Sequence, residues 1–246
     1  MLAIYKKELR SYFLNAIGYV YLGVFLAISA LLGCYTTLGM GTYDTTTYFS
    51  YISLIFIILI PLLTMRLFAE EKKLRTEQLL LTSPVSIAGM VIGKFLAAFT
   101  LFAIGIILSL INFIPLCIYA ELDGVNEAYN SVGPVASIIF SNTLGLLLLG
   151  AAFIAIGLFI SSLTENQLAA AIITVAIIAT MLLLNIVNGY IENYAIRFII
   201  SWVCFLSRYA PFQEGLFDPS ALLYFVSIAG TFLFLTGRVY DKRRWG

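Results

Sequence analysis

Residues 51–85 read YISLIFIILIPLLTMRLFAEEKKLRTEQLLLTSPV. From Ile52 to Leu63 only Ser53 is polar, and then Arg66, Glu70, Glu71, Lys72, Lys73, Arg75 and Glu77 arrive almost together. An apolar run approaching the roughly 18 to 20 residues that cross a bilayer, ended by a dense charged strip, describes a helix leaving a membrane. A soluble core needs no such run. The stretch therefore predicts a span over residues 51–68 and a polar segment over 69–83 on one side of the membrane.

The rest of the chain repeats the pattern. Of 246 residues 61% are hydrophobic and 11% charged, and the charges lie in short strips between apolar runs. Six spans are expected, at about residues 17–38, 51–68, 88–119, 134–160, 168–187 and 221–237, which makes the fold an all-α integral membrane protein with one membrane domain over residues 1–246. An even number of spans puts both termini on one side. That side or its edge holds twelve of the fourteen Lys and Arg residues against six acids, whereas the other holds Arg197 and Arg208 against seven acids. Because Lys and Arg in short loops set orientation, the termini are expected in the cytoplasm, in a multi-pass protein of the cell membrane. The run at 17–38 exceeds the apolar core of a signal peptide, and the three cysteines show no paired spacing.

Local features refine this picture. Residues 1–12 are amphipathic at helical spacing, with Leu2, Tyr5, Leu9 and Tyr12 opposite Lys6, Lys7 and Arg10, as in a helix lying on the leaflet surface. Pro61 removes a backbone hydrogen bond and predicts a kink, a candidate hinge, shortly before the charged strip. In that strip Glu71 with Arg75 and Lys73 with Glu77 are spaced i, i+4, and Leu67, Leu74 and Leu81 recur every seven residues, which predicts a helix over residues 70–81. Ser83 and Pro84 read as the N-cap and first residue of span three. Gly89, Gly93 and Ala97 form a small-residue stripe for close helix approach, within the chain or with a second copy. Residues 188–220 are semi-apolar and aromatic without a full span, as in re-entrant or interfacial helices.

Several chemistries are excluded. The chain has no histidine, which removes histidine triads and proton relays and most zinc sites. It has no phosphate-binding loop of the G-x-x-x-x-G-K-[ST] type. Glu70, Glu71 and Arg75 match E-E-x-x-x-R, a motif of intramembrane CAAX-type proteases, but those enzymes also need histidines. The spans carry no ionisable residue near their midpoints, which disfavours proton coupling; Asn112, Asn142 and Asn185 read as hydrogen-bond partners between helices. No enzymatic activity, cofactor, metal or nucleic-acid partner is expected of the chain itself.

The strip from Leu63 through Lys73, its continuation from Arg75 to Val85, the opening Tyr5 to Arg10 and the six spans resemble ABC-2 type transporter permeases, in wording closest to those associated with gliding motility. That resemblance implies a dimer, with a second copy or a sister permease, working with two copies of a separate cytoplasmic ABC ATPase. It implies that residues 1–12 form an elbow helix carrying Lys6, Lys7 and Arg10. A coupling helix would present Glu70, Glu71, Lys72, Lys73, Arg75, Glu77 and Gln78 to the ATPase, with a second contact at Thr164, Glu165 and Asn166 and short extracellular helices before the last span. Reversing Glu71 and Arg75 together is expected to uncouple ATP hydrolysis from transport. The aromatic, charge-poor spans suit export of an amphipathic or lipid-linked cargo. A membrane scaffold for an ATPase or motility complex, and an ATP-independent channel, are the alternatives.

Overall fold

The computed structural model describes residues 1–36, 45–78, 86–122, 135–191, 193, 197, 200–202 and 204–245. They form helices and no strand: α1 (Leu2–Leu14), α2 (Ala16–Cys34), α3 (Thr46–Thr64), α4 (Arg66–Lys73), α5 (Ile87–Ser109), α6 (Phe113–Leu122), α7 (Ala136–Leu163), α8 (Gln167–Tyr190), α9 (Phe205–Gln213) and α10 (Pro219–Trp245). Six stretches are long and apolar enough to cross a membrane: Ala16–Cys34, Thr46–Lys73, Ile87–Ile118, Ala136–Leu163, Gln167–Tyr190 and Pro219–Arg244. These are the six expected spans, with ends displaced by a few residues where they lie among the described residues.

The sequence of α7 explains why it is central. Ser141, Gly145, Gly150, Ala152 and Gly157 break its leucine-rich surface with small residues, and small residues let helices approach where lipid offers no hydrophobic drive. The ring of Phe102 on α5 lies against Gly150, and Thr64 of α3 against Gly157. Of its most apolar window 72% is buried, against 22% for those of α2, α8 and α10. The bundle is therefore wrapped on α7, which packs against α3, α4, α5, α8, α9 and α10.

The expected start of span three is corrected. Its helix begins at Ile87 with Ser86 as N-cap, whose hydroxyl accepts from Gly89 N at 3.2 Å; Ser83 and Pro84 lie outside the described residues. The stripe has a partner within the chain, since Gly89 and Gly93 lie against Met1 and Ile4 of the N-terminal helix.

At the opposite end, the stretch before the last span contains α9. Phe205, Tyr209 and Phe212 are buried within the bundle. Gly145 makes room, since a Cβ there would lie 2.8 Å from the Tyr209 ring. Tyr209 donates to Asn142 Oδ1 at 2.9 Å, Ser207 to Asn185 Oδ1 at 2.8 Å, and Gln213 to Ser50 Oγ at 2.8 Å. Asn112 likewise donates to Ser29 Oγ at 2.8 Å, so all three asparagines bond between helices as expected. Trp202 and Tyr190 are exposed, and Tyr194 and Phe198 lie outside the described residues.

Candidate functional site at the cation-rich end

Span two is interrupted where it leaves the bundle. Pro61 lies inside α3, and the break falls one turn later, at Met65. In an unbroken helix Phe68 N–H would bond to Thr64 O and Ala69 N–H to Met65 O. Here both amides donate to Ser161 Oγ of α7, each at 3.1 Å, and that hydroxyl donates to Met65 O at 3.1 Å. A side chain inserted into the helical ladder is a recognised cause of a kink. Two more carbonyls of this joint are taken by other helices. Tyr12 of α1 donates to Leu63 O at 3.1 Å, and Lys94 of α5 donates to Leu67 O at 2.7 Å. Burial, and secondarily the Glu8 carboxylate, push the Tyr12 phenol far above its ordinary value, so it remains a donor.

Lys94 is the centre of the electrostatics. It is 1% exposed, and its ammonium lies 3.0 Å from Glu8 Oε1 and 2.9 Å from Glu71 Oε1. With Leu67 O these groups account for its three donors, and the Phe68 ring lies 5.0 Å below it. Lys7 adds longer contacts to Glu71 and Glu8, at 3.4 and 3.7 Å. Burying a cation is costly unless it is paired and hydrogen-bonded, and here α1 and α4 supply the partners. Arg66 extends the network, pairing with Glu70 at 3.0 Å, donating to Ser11 Oγ at 3.3 Å and stacking over Tyr12.

The expected continuous helix over residues 70–81 does not form. Arg75 takes a left-handed φ of 56°, and α4 ends at Lys73 in a turn whose amides bond back to Glu70, Glu71 and Lys72. Glu71 is therefore bound to Lys94 and not Arg75, while Glu77 accepts from Arg243 at 3.0 Å and not from Lys73. Tertiary ion pairs with less exposed partners outweigh the few tenths of a kcal/mol, about 0.2–0.5, that an i, i+4 pair contributes. Residues 79–85, including Leu81, lie outside the described residues.

The remaining site residues are distributed as follows. Lys6, Arg10, Lys73, Leu74, Arg75, Thr76 and Gln78 are exposed. Lys72 is buried and donates to Ser162 O, which brings the end of α4 against the end of α7. There Thr164 bonds back to Ile160 O and Asn166 Oδ1 accepts from Leu168 N at 3.0 Å, so a three-residue turn joins α7 to α8 with Glu165 and Asn166 exposed. The two polar segments singled out in the sequence thus meet at one end. Lys94 and Arg243 are connecting residues not singled out there, and the hydrogen bonds of Tyr12, Ser161 and Ser162 were not foreseen. Lys94 carried one signal, a lone cation inside an otherwise apolar run; the hydroxyls of Ser161 and Tyr12 carried none.

No metal-binding cluster is found among the described residues. The arrangement joins an exposed polar surface to the ends of α4 and α7. A family model described as ABC-2 family transporter protein matches residues 10–237, nearly the whole chain. The match is to the family as a whole and does not support the narrower likeness to gliding-motility permeases. No curated protein matches the chain.

Proposed function

Because the chain belongs to the ABC-2 family of transporter proteins, and so is a multi-pass permease, we propose that it is the membrane half of an ATP-driven exporter whose nucleotide chemistry resides in a separate cytoplasmic ATPase. On this reading two permeases, identical or sister chains, work with two ATPase subunits in the cell membrane, with both termini and the cation-rich end in the cytoplasm. The bias of Lys and Arg toward that end supports the orientation. The cargo is amphipathic or lipid-linked, in keeping with spans that lack ionisable residues at mid-membrane.

The observation that carries the proposal is the Lys72 to Ser162 contact. It holds the exposed turn from Lys73 to Thr76 beside the exposed Glu165 and Asn166, as two parts of one docking face. Closure of the ATPase pair on ATP would push this face. The push would pass through α4 to the joint at Met65 and into α3 and α7, with Pro61 and Met65 as the flexing points. The α1 helix, read as an elbow, would follow through Glu8 and Lys94. Glu71 belongs to the internal network, so its reversal would disturb packing as well as docking. The exposed pair Lys73 and Arg75 is the better probe.

The test is purification of the tagged chain in mild detergent, with identification of what copurifies. An ATPase recovered in equal amount with the wild type, and lost from the Lys73→Glu, Arg75→Glu variant while the permease stays monodisperse, supports the reading. Absence of any ATPase across several detergents would refute it.

A further inference from the structure

Between α5 and α10, toward the cation-rich end, runs a groove of about 410 Å³. It falls in the size range of small-ligand clefts, about 300–1,000 Å³. Its lining is apolar except at one end, where Arg238 and Asp241 stand. Ile92 is 37% and Phe234 60% exposed, so the groove opens sideways to where lipid chains lie. The glycines of α10 in it do not serve helix packing. A Cβ at Gly230 or Gly237 would meet nothing within 4 Å, so both positions leave room for something beyond the helices.

The charged end has an order. Proceeding along α10, Phe234, Arg238 and Asp241 run from the hydrocarbon toward the last turn with Lys242, Arg243 and Arg244. The Arg238 guanidinium lies 5.0 Å over the Phe234 ring, leaning back toward the apolar part as helical side chains do. The carboxylate of Asp241 follows one turn further out. Neither makes an ion pair among the described residues. Residues at i and i+3 stand about 5–6 Å apart at Cβ, a spacing that suits two head charges joined by two carbons.

We propose that this groove binds one glycerophospholipid with a primary-ammonium headgroup, of the phosphatidylethanolamine type. An acyl chain lies along Gly230 and Gly237, the phosphate meets Arg238 and the ammonium meets Asp241. The head of such a lipid has its phosphate nearer the chains and its ammonium further out, which is the order of the two side chains. A purely anionic head would satisfy Arg238 but place its outer part against the Asp241 carboxylate.

Native mass spectrometry of the full chain, titrated in detergent with phosphatidylethanolamine or phosphatidylglycerol of matched chains, tests this. The wild type is expected to retain one phosphatidylethanolamine about three- to fivefold better than phosphatidylglycerol, the scale of one partly exposed ion pair. Asp241→Asn removes that preference by weakening only phosphatidylethanolamine, Arg238→Gln weakens both lipids, and Gly237→Leu, which fills the groove, weakens both. Equal retention of the two lipids by the wild type would overturn the proposal. So would an unchanged preference in Asp241→Asn, or undiminished retention by a correctly folded Gly237→Leu protein.

Discussion

Replacing Lys94 by Met removes a buried cation while keeping the apolar stem that packs beneath α1. Glu8 and Glu71 then face each other without their shared partner. Their oxygens lie 3.0 and 2.9 Å from the Lys94 nitrogen, so they can be no farther apart than about 6 Å. At an effective dielectric constant of about 20 that separation corresponds to a repulsion of about 3 kcal/mol. Loss of the donor to Leu67 O adds to it, while the remaining Lys7, 63% exposed, offsets part. The expected destabilisation is about 3 kcal/mol, the lower end of what breaking a buried pair costs and about a hundredfold in the unfolding constant. Adding Glu71→Gln removes one of the facing charges, so the double variant should recover at least about 1 kcal/mol. Unfolding in mixed micelles titrated with a denaturing detergent measures both. A Lys94→Met protein as stable as the wild type, or a double variant no better than the single, would refute the assignment of Lys94 as the electrostatic centre.

Further expectations concern the joint and the opposite end. Ser161→Ala should cost about 1–3 kcal/mol, and hydrogen exchange should show faster exchange at the amides of Phe68 and Ala69. Tyr209→Phe should cost about 0.6–2 kcal/mol, read in the same mixed-micelle titration, because Asn142 Oδ1 loses its donor. Gly145→Val should cost about 1–3 kcal/mol or more by overpacking against Tyr209 and Phe212, with detachment of α9 reported by proteolysis near residue 214. Lys73→Glu with Arg75→Glu should leave stability within about 0.5 kcal/mol, as at exposed sites generally, while abolishing ATPase copurification.

The spans were legible because a bilayer imposes one strong requirement, a long apolar helix, which composition records directly. Their ends were less so where a helix runs on past the apolar run, as α3 and α4 do to Lys73 and α10 does to Trp245. The asparagines were legible for a related reason, since a strong polar group among lipid-facing helices needs a partner. The charged strip was misread in its register. The spacing of Glu71 and Arg75 describes an isolated helix, whereas Lys94, 23 positions further along the chain from Glu71, decides where that carboxylate goes. The interruption was also displaced: Pro61 marks the neighbourhood, but the hydroxyl of Ser161, nearly a hundred residues away, sets the break at Met65.

The joint at Met65 is bound by three helices at once, with the carbonyls of Leu63, Met65 and Leu67 held by Tyr12, Ser161 and Lys94. A side chain that yielded gradually would let α4 bend by any amount. The bond to Leu63 ties the end of α3 to α1, whereas those to Met65 and Leu67 tie the start of α4 to α7 and α5, so rotation of α4 against α3 loads the Ser161 and Lys94 bonds together. On the proposed coupling reading, a push at Lys73 is then expected to give a switch-like rather than a graded response.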